Sequence, residues 1–180
     1  MHIKNPENIY DSYPFQCSGG ILQRIMIGLA VVQNPDVLIA DEPTTALDLT
    51  TQHEIIKILK EMQARYGTAI IMVSHDLSVI TDMADDIVVM YSGNIVETGD
   101  AKSIIKDPKH SYTKGLFRSR PAFSKERLPE LEGAQMALKE RGDICQFYDR
   151  CPMKTEACRS YDMSDRMIDG RRIKCCRIGE

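Results

Sequence analysis

Apolar residues in the first hundred positions fall in short blocks bounded by Pro, Gly, Asn and Asp. Residues 1 to 16 show no clear period and carry Pro6 and Pro14. Ile21 to Val32 is apolar almost all round, and Ser18 ahead of it is a good N-cap, so a helix is predicted there. Val37–Ala40 is a four-residue apolar run between Asn34-Pro35 and Asp41-Glu42-Pro43, the pattern of a buried strand in a parallel sheet. From Leu49 to Arg65, Ile55, Ile56, Leu59 and Met62 share one face at helical spacing, and Tyr66-Gly67 ends the run. Thr68–Val73 reads as a second buried strand that stops at Ser74-His75-Asp76, with a short helix over Leu77–Met83 capped by Asp76. Asp86–Tyr91 and Asn94–Glu97 read as a hairpin turned at Ser92-Gly93 and closed by Gly99. Ala101–Lys106 is a short helix stopped by Asp107-Pro108, and His110-Ser111-Tyr112-Thr113 leads a further helical turn to about Arg120-Pro121.

Alternating strands and helices predict an α/β fold. Residues 121–142 are polar, contain Pro121, Pro129, Gly133 and Gly142, and read as a linker to a cysteine-rich tail over 143–180. A chain of 180 residues is long enough for one ordinary core and a small appendage. The 43% hydrophobic and 27% charged content is that of a soluble globular protein, and a net charge of −3 gives no electrostatic reason to propose nucleic acid as a partner. The longest apolar stretch, Ile25 to Val32, is far too short to span a membrane. The polar start His2-Ile3-Lys4-Asn5-Pro6 has no signal-peptide pattern, and a cytoplasmic location is expected.

The chemistry concentrates at strand ends. Carboxylates at the carboxyl end of a parallel strand sit where open α/β sheets bind ligands. There Asp41 is suited to holding Mg²⁺ against nucleotide phosphates, and Glu42 to orienting an attacking water. The plain alternative is an acidic cap on a strand. His75, at the end of the next strand, can reach a bound phosphate or simply belong to a helix-capping loop. Ser18-Gly19-Gly20 puts a capping hydroxyl and two glycines at a helix start. That is an anion site if a ligand approaches and an ordinary Ser cap if none does.

Taken in order, these pieces resemble the second half of the ATP-binding subunit of an ABC transporter. Cys17-Ser18-Gly19-Gly20-Ile21, with Gln23-Arg24, looks like the signature motif, although Cys17 stands where Leu is usual and Ile21 where Gln is usual. Val37–Glu42 is similar to the Walker B strand, Ala46-Leu47-Asp48 to the D-loop, and His75 to the switch histidine. Tyr13-Pro14, the run from Ile39 to Asp48, and His110-Ser111-Tyr112-Thr113 look like the oligopeptide/dipeptide/nickel importer branch, which usually has Pro where this chain has Ser111. The resemblance implies ATP and Mg²⁺ as cofactors. Asp41 would help hold the metal, Glu42 would polarise water and His75 would contact the γ-phosphate. Ser18, Gly19 and Gly20 would touch the nucleotide of an opposite subunit, and Asp48 would line the dimer interface. The implied partners are a homologous ATP-binding subunit, two membrane permease subunits and, indirectly, a substrate-binding protein, at the inner face of the cell membrane.

On this reading residues 1–120 are the C-terminal part of an ABC ATPase domain. The fold is a partial P-loop NTPase lacking the Walker A half, because Gly-x-x-x-x-Gly-Lys-Ser/Thr occurs nowhere in the 180 residues. That half is expected upstream, with exposed sheet edges and helix faces as the consequence of its absence. The rival reading is a catalytically incompetent or metal-binding regulatory module that only completes a partner's site.

In the tail, Cys145, Cys151, Cys158 and Cys175 are separated by 5, 6 and 16 residues, with Cys176 beside the last and no histidine among them. Structural zinc usually employs a tighter Cys pair, whereas four loosely spaced thiolates and Cys151-Pro152 suit an iron–sulfur cluster. The similar tail of some peptide importers holds a [4Fe–4S] cluster. Zinc and unliganded thiols remain the alternatives.

Overall fold

The computed structural model describes residues 1–119, 133, 144–160 and 165–178. The expected linker, 121–142, lies outside them except for Gly133. The chain packs as two compact units, Met1–Met83 and Ala84–Glu180.

The first unit runs α1 (Pro6–Tyr10), a 3₁₀ turn (Pro14–Gln16), α2 (Gly19–Val31), β1 (Val37–Asp41), α3 (Leu49–Tyr66), β2 (Ala69–Val73) and α4 (Leu77–Met83). β1 and β2 pair in parallel with Val37 opposite Ala69 and Asp41 opposite Val73. Ile27 and Val31 of α2 close on Ile55, Ile58 and Leu59 of α3, and Leu38, Ile70 and Met72 pack beneath them from the strands. This is the face that the apolar periodicity of α3 requires.

The strands differ from the expectation of burial on both sides. Val37, Ile39, Ile71 and Val73 are each at least half exposed, so only one face of the pair is covered. Met26 and Leu29 of α2, and Val32 just after it, are also exposed.

The second unit contains β3 (Asp86–Tyr91), β4 (Asn94–Asp100), α5 (Ala101–Lys106), α6 (Ser111–Arg118), a 3₁₀ turn (Tyr148–Arg150), α7 (Ala157–Ser160), β5 (Arg166–Ile168) and β6 (Arg171–Ile173). β4 runs three residues beyond the expected Glu97, through Gly99, where the sequence placed a closing turn. The strand order is β3-β4-β6-β5, so the hairpin and the tail share one antiparallel sheet. Gly99 permits that neighbour, because a Cβ there would come within 2.6 Å of the Arg171 Cγ.

The tail is fastened by a buried ionic knot. Glu97, fully buried, accepts hydrogen bonds from the Lys109 and His110 amides at 3.0 and 2.9 Å. Arg171, also buried, lies 3.6 Å from the Glu97 carboxylate and donates to the Asp107 carbonyl at 2.6 Å and the Ser103 carbonyl at 3.3 Å. Such a pair is costly to desolvate, and leaving one member alone costs more. Glu97→Ala is therefore expected to destabilise the chain by about 3–5 kcal/mol, read as a lower urea midpoint. A loss below about 1 kcal/mol would refute the knot as a fastening.

Candidate functional site

The parallel register of β1 and β2 fixes where the chemistry falls. With Asp41 opposite Val73, the next residues of both strands leave the sheet on the same side, and the Glu42 amide still donates to the Val73 carbonyl at 2.9 Å. Glu42 then turns sharply, with φ of +47°, an uncommon conformation for a residue with a side chain. Its Oε1 accepts from the His75 amide at 3.0 Å and lies 2.7 Å from His75 Nδ1. Its Oε2 accepts from the Thr45 hydroxyl at 2.9 Å. Both carboxylate oxygens are thus engaged, and Asp41 stands exposed one residue before them.

The electrostatics follow from those contacts. The hydrogen bond and charge of Glu42 raise His75 above its ordinary value of 6.5. The hydrogen bond from His75, helped by that from Thr45, outweighs the opposing effect of burial and holds Glu42 below 4.5. Glu42 is therefore a weak base whose remaining lone pairs can orient a water and polarise it, and His75 is a cation-forming group beside it. Asp76, on the far side of His75, accepts from the Ser78 hydroxyl and amide and from Gln52 Nε2 at 2.9 Å, which ties the loop after β2 to α3. Thr45 and Gln52 were not singled out from the sequence. A hydroxyl three residues after the acid, inside the turn, was the available signal for Thr45.

The second group gathers at two helix starts. Ser18 caps α2, its hydroxyl oxygen accepting from the Ile21 amide at 3.4 Å. Asp48 caps α3, accepting from the Thr51 amide at 3.0 Å and the Thr51 hydroxyl at 2.7 Å. The two caps meet through Gly20, where a Cβ would fall 2.4 Å from the Thr51 methyl. Thr51 is held by Asp48 and has little room to give. The sequence read Gly20 as space for a ligand; within this chain its first requirement is the close approach of α2 to α3. Ser18 and Asp48 likewise act on their own helices here.

The cysteines come together within the second unit. Cys145, Cys151, Cys158, Cys175 and Cys176 all line one cavity of about 350 Å³, with Lys114 on its wall. Among the described residues no three His, Cys, Asp or Glu groups converge tightly enough to hold a single metal ion. Burial pushes Cys145 up to about 11 and raises Cys175. Burial, with the hydrogen bond it shares with Cys158, pushes Cys176 up to about 12. Burial would raise Cys158 too, but the bond from the Cys176 thiol and those at Thr155 bring it below 9.0.

His110 of the His-Ser-Tyr-Thr stretch caps α6, its Nδ1 accepting from the Tyr112 amide at 3.1 Å, and burial pushes it down to about 4. Its ring and that of Tyr112 pack against Phe147 of the tail, with centroids at 5.9 and 5.6 Å. The stretch is structural, a seat for the tail.

The strand-end acid and histidine, and separately the Ser-Gly-Gly helix start, are the features that the comparisons with known proteins bear on. A family profile described as "ABC transporter" matches residues 1–45, and one described as "Oligopeptide/dipeptide transporter, C-terminal region" matches residues 96–158. The chain is 45% identical to the dipeptide transport ATP-binding protein DppD of Haemophilus influenzae, over 96% of this chain and 53% of that one. It is 40% identical to DppD of Bacillus subtilis, over 96% of this chain and 50% of that one. With OppD, the oligopeptide transport ATP-binding protein of Lactococcus lactis, identity is 40% over 86% of this chain and 47% of that one. Among solved structures, cbiO1 of Clostridium perfringens, part of the ABC transporter complex cbiONQ, aligns with 36% identity over 51% of this chain and 36% of its own, at a TM-score of 0.48. The sequence relatives bear out the resemblance drawn from the motifs: over nearly its whole length the chain is similar to part of the ATP-binding subunits of peptide ABC transporters. It spans about half the length of the curated relatives it matches.

The Glu42–His75 contact has a defined pH window. The charged pair needs Glu42 ionised and His75 protonated. His75's contribution to stability is complete below pH 6.5 and lost as the pH rises through its raised value. Glu42's contribution is complete above pH 4.5 and lost as the pH falls through its lowered value. In an NMR titration His75 is expected to ionise above 6.5 and to shift back down in Glu42→Gln. An unchanged His75 titration in that variant would break the assignment.

Proposed function

We propose that the chain forms the signature, Walker B, D-loop and switch-histidine part of an ATP-hydrolysing subunit that powers an importer of peptides. The observation that carries the reading is the 2.7 Å contact between Glu42 and His75 at the carboxyl ends of adjacent parallel strands. Glu42, held by Thr45 and His75, orients and polarises the attacking water. His75 offers its remaining ring nitrogen and its positive charge to the γ-phosphate as charge develops there. The exposed carboxylate of Asp41 suits a hard cation and would hold Mg²⁺, which would supply positive charge against the phosphates. Ser18, Gly19 and Gly20 meet the nucleotide of a homologous partner subunit, and Asp48 lines the interface between the two. The relatives' names, dipeptide and oligopeptide transport, favour a peptide over nickel as the solute. Permease subunits in the membrane then receive the work of hydrolysis at its cytoplasmic face, and a substrate-binding protein delivers the peptide. No described helix of this chain is long and apolar enough to cross a membrane.

The phosphate loop has to come from residues outside these 180. ATP turnover is expected when the chain is combined with a separately supplied segment that carries that loop, and Glu42→Gln is expected to cut the rate by at least a hundredfold while nucleotide binding persists. Absence of turnover from the combined protein favours the rival, a module that only completes a partner's site.

The tail belongs to the same proposal as a [4Fe–4S] site held by Cys145, Cys151, Cys158 and Cys175. What supports it is the donor set: five thiols line one cavity, and the tail contains no histidine. Lys114 on the cavity wall would offset part of the negative charge of four thiolates. Chain purified without oxygen is expected to absorb broadly in the visible and to contain iron and acid-labile sulfide. Colourless protein carrying zinc or no metal would overturn this part.

A further inference from the structure

Five thiols face the cavity, whereas a four-ligand cluster engages four. Cys176, the extra one, has its Sγ 3.0 Å from the Sγ of Cys158. That is closer than two unbonded sulfurs normally rest, and about 1 Å longer than an S–S bond. The approach is imposed by the fold, since the two residues are 18 apart in sequence. The Cys158 sulfur is contacted on another side by the Thr155 hydroxyl at 3.6 Å, and its amide donates to the Thr155 carbonyl at 3.0 Å. Cys176 follows β6, which is paired to β4 and extended by the Lys174 amide donating to the Val96 carbonyl at 3.0 Å. Cys158 is buried at 6% exposure and Cys176 only partly so, which makes Cys176 the thiol that a small reagent meets first.

We infer that Cys158 and Cys176 are a thiol–disulfide pair, a modification site for low-molecular-weight disulfides that closes when the cavity carries no cluster. Cys176 passes its proton to the Cys158 sulfur, to which it already donates, and attacks one sulfur of the reagent; a mixed disulfide forms on Cys176 and one reagent thiolate leaves, taking up the proton held by Cys158. The Cys158 thiolate then attacks the Cys176 sulfur, the protein S–S bond forms and the second reagent thiolate leaves. Two electrons pass to the reagent, the proton that Cys176 gave up ends on its first thiol, and its second thiolate is protonated by water. Closure removes Cys158 from the ligand set, so the disulfide and a cluster on Cys145, Cys151, Cys158 and Cys175 exclude one another. Only that exclusion rests on the cluster reading; the pair itself rests on the sulfur contact.

The test uses the 180-residue chain, reduced, stripped of metal with a chelator, exposed to glutathione disulfide, alkylated and examined by mass spectrometry. Two thiols are expected to escape alkylation, with a cross-link joining the peptide of Cys158 to that of Cys175-Cys176, assigned to Cys176 by fragmentation. Cys175→Ser is expected to keep the cross-link. Cys176→Ser is expected to lose it. A wild-type chain without the link, or a link that survives Cys176→Ser, overturns the pair. Chain that contains iron and sulfide is expected to resist closure, and equal closure with the cluster in place overturns the exclusion. Iron-free protein in every anaerobic preparation sinks the cluster reading, yet leaves the cross-link assay to decide the pair.

Discussion

Everything proposed for the first unit depends on one parallel pairing. β1 and β2 meet in register from Val37–Ala69 to Asp41–Val73, and this alone delivers Glu42 and His75 to the same point although 33 residues separate them. A slip of one residue would turn each side chain to the opposite face of its strand and part the carboxylate from the ring. The register is specified by burial. Leu38, Ile70 and Met72 have to point at α2 and α3, which fixes where the two strands end, and the turn at Glu42 and the loop at His75 start from those paired ends. Core packing thereby sets the place from which the site is built.

Much of this was legible in the order of residues. Apolar runs that end in Asp-Glu and in Ser-His-Asp marked the strand ends, and the helical spacing of Ile55, Ile56 and Leu59 marked the face that covers them. Less legible were contacts between elements. Gly20 carries the same letter whether it clears space for a phosphate or for Thr51, and only the meeting of α2 with α3 decides which comes first. The extension of β4 through Gly99 was hidden for a related reason. A glycine in a strand signals a turn unless another side chain, here that of Arg171 from 72 residues later, has to cross it. Cys176 looked like a mere neighbour of Cys175 because sequence adjacency says nothing of the sulfur 18 positions earlier.

The second unit has a different organising force. Its described helices are short, and its sheet is assembled from a hairpin and two three-residue strands of the tail. Such brief strands contribute few hydrogen bonds, so a buried, fully directional contact has to set their position. Glu97 and Arg171 do so across β4 and β6, next to the pairing of Glu97 with Ile173, while Phe147 settles among Tyr91, His110 and Tyr112. The charged knot specifies register and the aromatic group contributes apolar burial. Both reside in the segments that hold the cavity wall, and the spacing of the thiols is a by-product of that fastening.

The uncovered face of β1 and β2 bears directly on the role proposed for Glu42 and His75. Two paired strands are a marginal structure by themselves, and here helices protect one side only. Val37, Ile39, Ile71 and Val73 remain half exposed or more, and full burial of such a side chain is worth about 1.5–3 kcal/mol. Those same strands hold Glu42 in a positive-φ turn, a conformation that persists only where its surroundings over-determine it. The Glu42 amide bonded to Val73 and its carboxylate bonded to His75 do part of that work, but both anchors belong to β2 or the residues just after it. Whatever covers the bare face stiffens both strands at once. It thereby narrows the motion of the acid against the histidine, and a positional error of about 1 Å is enough to cost a catalytic group most of its effect. Apolar burial on the far side of the sheet and the placement of the Glu42 carboxylate against His75 at its end are therefore coupled.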